Sequence, residues 1–124
     1  MYEIQDLKHL SSNESGATYE LGAILSEGYL LATRKKGSIS GNHWHIGASA
    51  AKNPENLLLI SGSISLELRH VVSKETKEIK LLGPKLIKIW PNVLHTLKAE
   101  TDLIFLEFNS LEEHKKDTHY PTND

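Results

Sequence analysis

Apolar and polar positions alternate with a period of two along most of this chain. Ile64, Leu66, Leu68 and His70 fall on one side of an extended segment, with Ser65, Glu67 and Arg69 on the other. Leu86 and Lys88 oppose Ile87 and Ile89 in the same way. The pattern predicts strands over residues 17–25, 29–34, 57–60, 64–72, 78–82, 85–90, 94–99 and 103–109. Turn residues separate them: Ser26-Glu27-Gly28, Ser61-Gly62-Ser63, Ser73-Lys74-Glu75, Pro91-Asn92 and Glu100-Thr101-Asp102. No long segment has helical periodicity, and no repeat or linker interrupts the series. Short strands with tight turns predict an all-β fold, a sandwich or barrel, in one domain of 124 residues. Its core is expected over residues 17–109, with a short strand region at 1–16. A charged, exposed tail is expected at 110–124, with one helical turn at 111–116.

Composition narrows the function classes. Lys and Arg number 14 against 16 Asp and Glu, a formal charge of -2, which disfavours a nucleic-acid partner bound through phosphate neutralisation. The absence of cysteine removes disulfides, thiol nucleophiles and thiolate metal sites. No apolar run is long enough to cross a bilayer, no secretory leader precedes Glu3 and Asp6, and the expected location is cytoplasmic.

The seven histidines carry the chemical signal. On a strand, positions i and i+2 share a face, so His43 and His45 project two imidazoles to one side and Trp44 to the other. Imidazole nitrogen binds zinc, iron, nickel and copper, but two ligands do not make a site. Glu55, at the head of one predicted strand, and His95, at the start of a late one, are the candidates to complete a three-His, one-carboxylate set. Such a set leaves room for water or substrate. His9, His70, His114 and His119 have no partner at ligand spacing and are expected at the surface or in turns. Gly47-Ala48-Ser49-Ala50-Ala51 lacks the final glycine of a nucleophile elbow and reads as loop. Arg34-Lys35-Lys36 reads as a solvated turn, placed so that it can meet an anionic substrate at a barrel mouth.

Gly37-x5-His43-x-His45 followed by Glu55-x6-Gly62 resembles the first motif of the cupin superfamily, the RmlC-like jelly rolls. Gly83 through Trp90-Pro91 to His95 is similar to the second motif. The resemblance covers residues 30–109 and implies a double-stranded β-helix, the cupin jelly-roll barrel. It also implies metal-ligand roles for His43, His45, Glu55 and His95. Nine residues, Ile46 to Pro54, separate His45 from Glu55 where the motif allows three or four, which makes Glu55 the least secure ligand. Asn92-Val93 replaces the usual glycine region of the second motif, and no asparagine follows His95 at motif spacing. Gly41-Asn42-His43-Trp44-His45 and Asp117-Thr118-His119-Tyr120 resemble small cupins of surface-polysaccharide and sugar-nucleotide pathways.

The resemblance implies a divalent metal (zinc, iron, nickel or manganese) and a small polar metabolite, such as a keto-sugar nucleotide, undergoing epimerase- or isomerase-like chemistry. An imidazole free of the metal is the expected base, and Tyr19 or Tyr29 the expected acid if it faces the cavity. A ferrous dioxygenase and a non-catalytic ligand-binding or sensor module are the alternatives. A homodimer is expected, because Trp44 needs cover that a small single core does not supply.

Overall fold

A computed structural model describes residues 1–121. Eleven strands and one short helix follow in order. They are β1 (Tyr2–Gln5), β2 (Lys8–Asn13), β3 (Gly16–Glu20), β4 (Leu30–Arg34), β5 (Ile39–His43), β6 (Glu55–Ser61) and β7 (Ser63–His70). Then come β8 (Thr76–Leu82), β9 (Lys85–Ile89), β10 (Val93–Ala99), β11 (Leu103–Glu107) and α1 (Leu111–Lys116). The expected strands recur within a few residues of their predicted ends. The exception is 17–25, where β3 stops at Glu20 and Gly22, at φ +91°, lies in irregular chain.

Two sheets face each other as a jelly roll, the fold the motifs implied. One has the order β1-β9-β6-β11-β4 and the other β5-β10-β7-β8, with antiparallel pairing throughout. Both sheets are open, so the barrel is formed by packing rather than by a closed hydrogen-bond ladder. The predicted alternation supplies the core: Leu57 and Leu59 of β6, Ile64, Leu66 and Leu68 of β7, Ile87 and Ile89 of β9, Leu97 and Ala99 of β10, and Leu103 and Phe105 of β11 are all buried. Each fully buried Leu, Ile or Phe contributes about 1.5–3 kcal/mol over its exposed state.

Two glycines let the sheets come together. Gly62 turns β6 into β7 at φ +102°, and a Cβ there would lie 2.4 Å from the Asp102 carbonyl oxygen. Gly41 in β5, at φ +84°, passes so close to β10 that a Cβ would lie 2.8 Å from the His95 carbonyl oxygen. The pairing of β5 with β10 shifts register between His95 and Thr96, and His95 lies opposite His43. The core stripe of β6 begins at Glu55 and that of β10 includes His95, so both polar groups occupy core positions at one end of the barrel.

The tail differs from its expectation. Its helical turn is α1, capped by Ser110, whose side chain accepts from the Glu113 amide while Glu113 accepts from the Ser110 amide. The chain after α1 is not an exposed tail: Asp117 is fully buried, and Trp44 and His119 exchange backbone hydrogen bonds of 2.9 Å. Residues 122–124 of the expected tail lie outside the described residues.

Candidate functional site

β5 delivers His43, and the chain stays extended for two more residues because Trp44 pairs with His119. His45 therefore keeps the face of His43, their ring centroids 5.0 Å apart, although it lies past the strand's end. His95 arrives from the facing strand, its ring centroid 4.6 Å from that of His43 and 5.3 Å from that of His45. Glu55 enters from the other sheet. One ligand atom from each of His43, His45, Glu55 and His95 lies within 4.8 Å of the others. The lengthened nine-residue connection does not displace Glu55; it folds into turns ahead of β6, where Lys52 pairs back onto Glu55.

The outer hydrogen bonds of two rings set how this cluster could meet a cation. His45 Nδ1 donates to the Asp117 carbonyl, and His95 Nδ1 donates to the Val93 carbonyl at 3.0 Å. Each imidazole thereby turns the lone pair of Nε2 inward, the arrangement by which an outer carbonyl orients a metal-ligating histidine. Glu55 Oε2 lies 2.9 Å from His45 Nε2 and 3.2 Å from His95 Nε2. His45 Nε2 and Glu55 Oε2 are buried without a hydrogen-bond partner. Lone pairs crowded this closely in a buried site repel one another unless a cation lies between them. The four residues thus fit a divalent metal ion.

In the metal-free protein a proton on His95 Nε2 relieves the same crowding. Burial opposes ionisation of Glu55 but is outweighed by the His95 and His45 imidazoles and by the Lys52 ammonium, which hold its carboxyl well below the usual range. Burial also opposes charge on His95, and Glu55 and the Val93 carbonyl push its pKa up nonetheless. Burial and the neighbouring His95 lower His43 to about 3, so its imidazole is neutral at physiological pH.

These residues lie in the wall of a cavity of about 730 Å³, which Arg34, Ser40, Glu107, His114 and Tyr120 also line. Arg34 is held over the Phe105 ring at 5.3 Å and donates to Ser40 Oγ at 2.9 Å. Lys35 and Lys36 are exposed beyond the strand, while Arg34, also exposed, ends β4 and lines the cavity, as the barrel-mouth expectation had it. Burial and the Glu55 charge push the Glu107 carboxyl up. Tyr19 and Tyr29 do not line the cavity: Tyr19 packs on His9 in the β2–β3 hairpin and Tyr29 on Phe108.

His114 overturns its surface assignment. Helix α1 sets it half-buried in the cavity wall, its ring centroid 5.6 Å from that of His43. Burial and Lys52 lower its pKa. His70 behaves as expected, its Nδ1 accepting from the Val72 and Ser73 amides of a turn. Lys52 escaped the sequence reading because a lysine in a polar loop is ordinarily solvated. Here it is fully buried, with Nζ 3.2 Å from Glu55 Oε1. Glu107 left a visible signal, since it continues the inward register of Leu103 and Phe105 on β11.

No family model matches the chain, and no curated protein does. Solved structures do match. The sugar 3,4-ketoisomerase QdtA from Thermoanaerobacterium thermosaccharolyticum, in complex with TDP, superposes with a TM-score of 0.74 at 16% identity, covering 98% of this chain and 89% of that one. The dTDP-4-dehydrorhamnose 3,5-epimerase from Sulfolobus tokodaii gives 0.66 at 14% identity, covering 98% and 77%. The capsular polysaccharide assembling protein CapF from Staphylococcus aureus gives 0.60 at 24% identity, over 93% of this chain and 34% of that much longer one. The chain shares the jelly-roll fold of these proteins. No helix among the described residues is long and apolar enough to cross a membrane.

Proposed function

We propose that the protein is a metal-holding cupin that isomerises or epimerises a keto-sugar nucleotide. The observation that carries this reading is the convergence of ligand atoms from His43, His45, Glu55 and His95 within 4.8 Å of one another, with His43, Glu55 and His95 in the wall of a cavity large enough for a metabolite and His45 buried behind it. The fold, shared with two proteins described as a ketoisomerase and an epimerase of sugar derivatives, supports the substrate class. A divalent metal bound by the four residues would supply Lewis-acid polarisation of a carbonyl oxygen.

The chain's own groups fit the remaining roles. Arg34, braced by Phe105 and Ser40, offers a fixed guanidinium to the phosphates. Glu107, with its raised carboxyl, is suited to take a proton from the carbon beside the carbonyl and return it to a neighbouring carbon or to the opposite face. Apolar walls from Leu57, Leu66 and Phe105 limit water around that exchange. The test is a panel of keto-sugar nucleotides in deuterated water, with solvent deuterium incorporation as the readout. Metal-dependent exchange that falls at least 100-fold in Glu107→Gln supports the assignment. Tight binding without exchange across the panel would favour a non-catalytic binding module.

We also place the protein as a homodimer in solution. The original reason weakens, since Trp44 is partly covered by His119 of its own chain, ring centroids 5.9 Å apart. The β2–β3 hairpin is the better support: every one of its strand residues is exposed, Leu10 and Tyr19 included, and a lone two-stranded ribbon is marginal in water.

A further inference from the structure

Lys52 Nζ is surrounded by three acceptors: Glu55 Oε1 at 3.2 Å, Asn109 Oδ1 at 2.9 Å and His114 Nδ1 at 3.2 Å. An ammonium has three N–H bonds and no lone pair. Each of its protons is therefore spoken for, and His114 Nδ1 can only accept. A proton on that nitrogen would face an ammonium proton across 3.2 Å, inside the protein. The single proton of the neutral ring consequently sits on Nε2. That atom has no hydrogen-bond partner among the described residues and is not among the buried orphans, and the ring that carries it lines the cavity.

We infer that His114 is a fixed hydrogen-bond donor to a ligand oxygen in the cavity, and that Lys52 is the positioning residue that imposes this role. The ligand group is a carbonyl, enolate or hydroxyl oxygen beside the His43–His45–Glu55–His95 cluster. The inference deepens the proposed function, from which it takes only that the cavity receives an oxygen-bearing ligand. The supporting frame is local. Asn109 is fully buried at the end of the β11 segment, and Ser110 caps the helix that carries His114. The insertion that brings Lys52 inward is itself tied down, since the Ile46, Gly47 and Ala48 amides each donate to the Asp117 carboxylate at 2.8 Å. One buried ammonium thus joins a carboxylate of the cluster to the donor across the cavity wall.

The test is nitrogen-15 NMR of the histidine side chains in the full-length protein at neutral pH, free of paramagnetic metal. The expected spectrum of the wild type has His114 with an unprotonated Nδ1 and a protonated Nε2. The opposite tautomer, or rapid exchange between the two, would overturn the inference without touching the proposed function. Lys52→Met should release the ring into a mixture of tautomers; an unchanged His114 signal would remove the role of Lys52. Equilibrium binding of a keto-sugar nucleotide gives the second arm, in which His114→Gln retains an N–H donor and His114→Ala does not. Binding weakened about tenfold or more in the alanine variant and largely restored in the glutamine variant supports the donor, and equal losses in both contradict it. If the wild type itself binds no member of the panel, the substrate assignment fails while the NMR result still decides the tautomer.

Discussion

A carboxylate and two imidazoles set this close in a buried site attract a cation, whether a metal ion or a proton. Acidification places a proton on His95, whose pKa is raised in the metal-free protein, and that proton competes with metal for Nε2. Metal affinity should therefore rise with pH through the His95 titration, measurable by calorimetry across a pH series. His43→Ala with His45→Ala should abolish stoichiometric metal while leaving the far-UV spectrum largely intact, because neither side chain belongs to the apolar cluster. The Asp117 carboxyl is shifted the other way, downward. Burial opposes its charge, but the amides of Ile46 to Ala48 outweigh that effect and hold its carboxyl below 3.8. Its contribution to stability is complete above the unfolded value and disappears as pH falls through the lower folded value. Asp117→Asn should thus narrow the difference in urea midpoint between pH 7 and pH 3, and an unchanged pH dependence would contradict the assignment. Residue identity made the four ligand candidates visible in the sequence, because histidine and glutamate at motif spacing stand out. It concealed Lys52, His114 and Asp117, whose roles arise only when segments about sixty to seventy positions apart meet.

Alternation made most strands legible, since burial of every second side chain in a two-sheet packing leaves a period of two in the sequence. The β2–β3 hairpin was legible only in part, as the strand expected from residue 17 and a strand region before it, because Ser11, Ser12 and Asn13 face water on both sides, as does the rest of the ribbon. The first insertion was readable as a loop but not as the structure that carries Lys52 inward. Its fixed points, the Asp117 carboxylate and the Glu55 pairing, lie outside it in sequence. Strand geometry also yields a stability prediction. Gly62→Ala places a methyl 2.4 Å from a backbone oxygen at φ +102°, so the β6–β7 turn must move. The expected loss exceeds about 1 kcal/mol, read as a lower urea midpoint. A variant as stable as the wild type would show that the turn is not held as described. Leu59→Ala, at a fully buried position of β6, should cost about 2–5 kcal/mol.

Across the whole molecule, the His–Glu cluster occupies core positions of the same strands that carry the apolar interior. Glu55 takes the first buried position of the β6 stripe, and His95 lies between Val93 and Leu97 in that of β10. Filling the site should therefore stabilise the entire fold by linkage, and chelation should lower the melting temperature in proportion to the affinity lost. The homodimer belongs to this scale as well: sedimentation at micromolar concentration should give twice the mass of 13.9 kDa, and a monomer would remove it. The most direct measurement is a crystal structure of the metal-loaded protein with anomalous data collected on both sides of the metal's absorption edge. A single peak about 2.0–2.2 Å from His43, His45, Glu55 and His95 is the predicted result. An empty cluster in fully loaded crystals, or imidazoles turned away from one another, would contradict it.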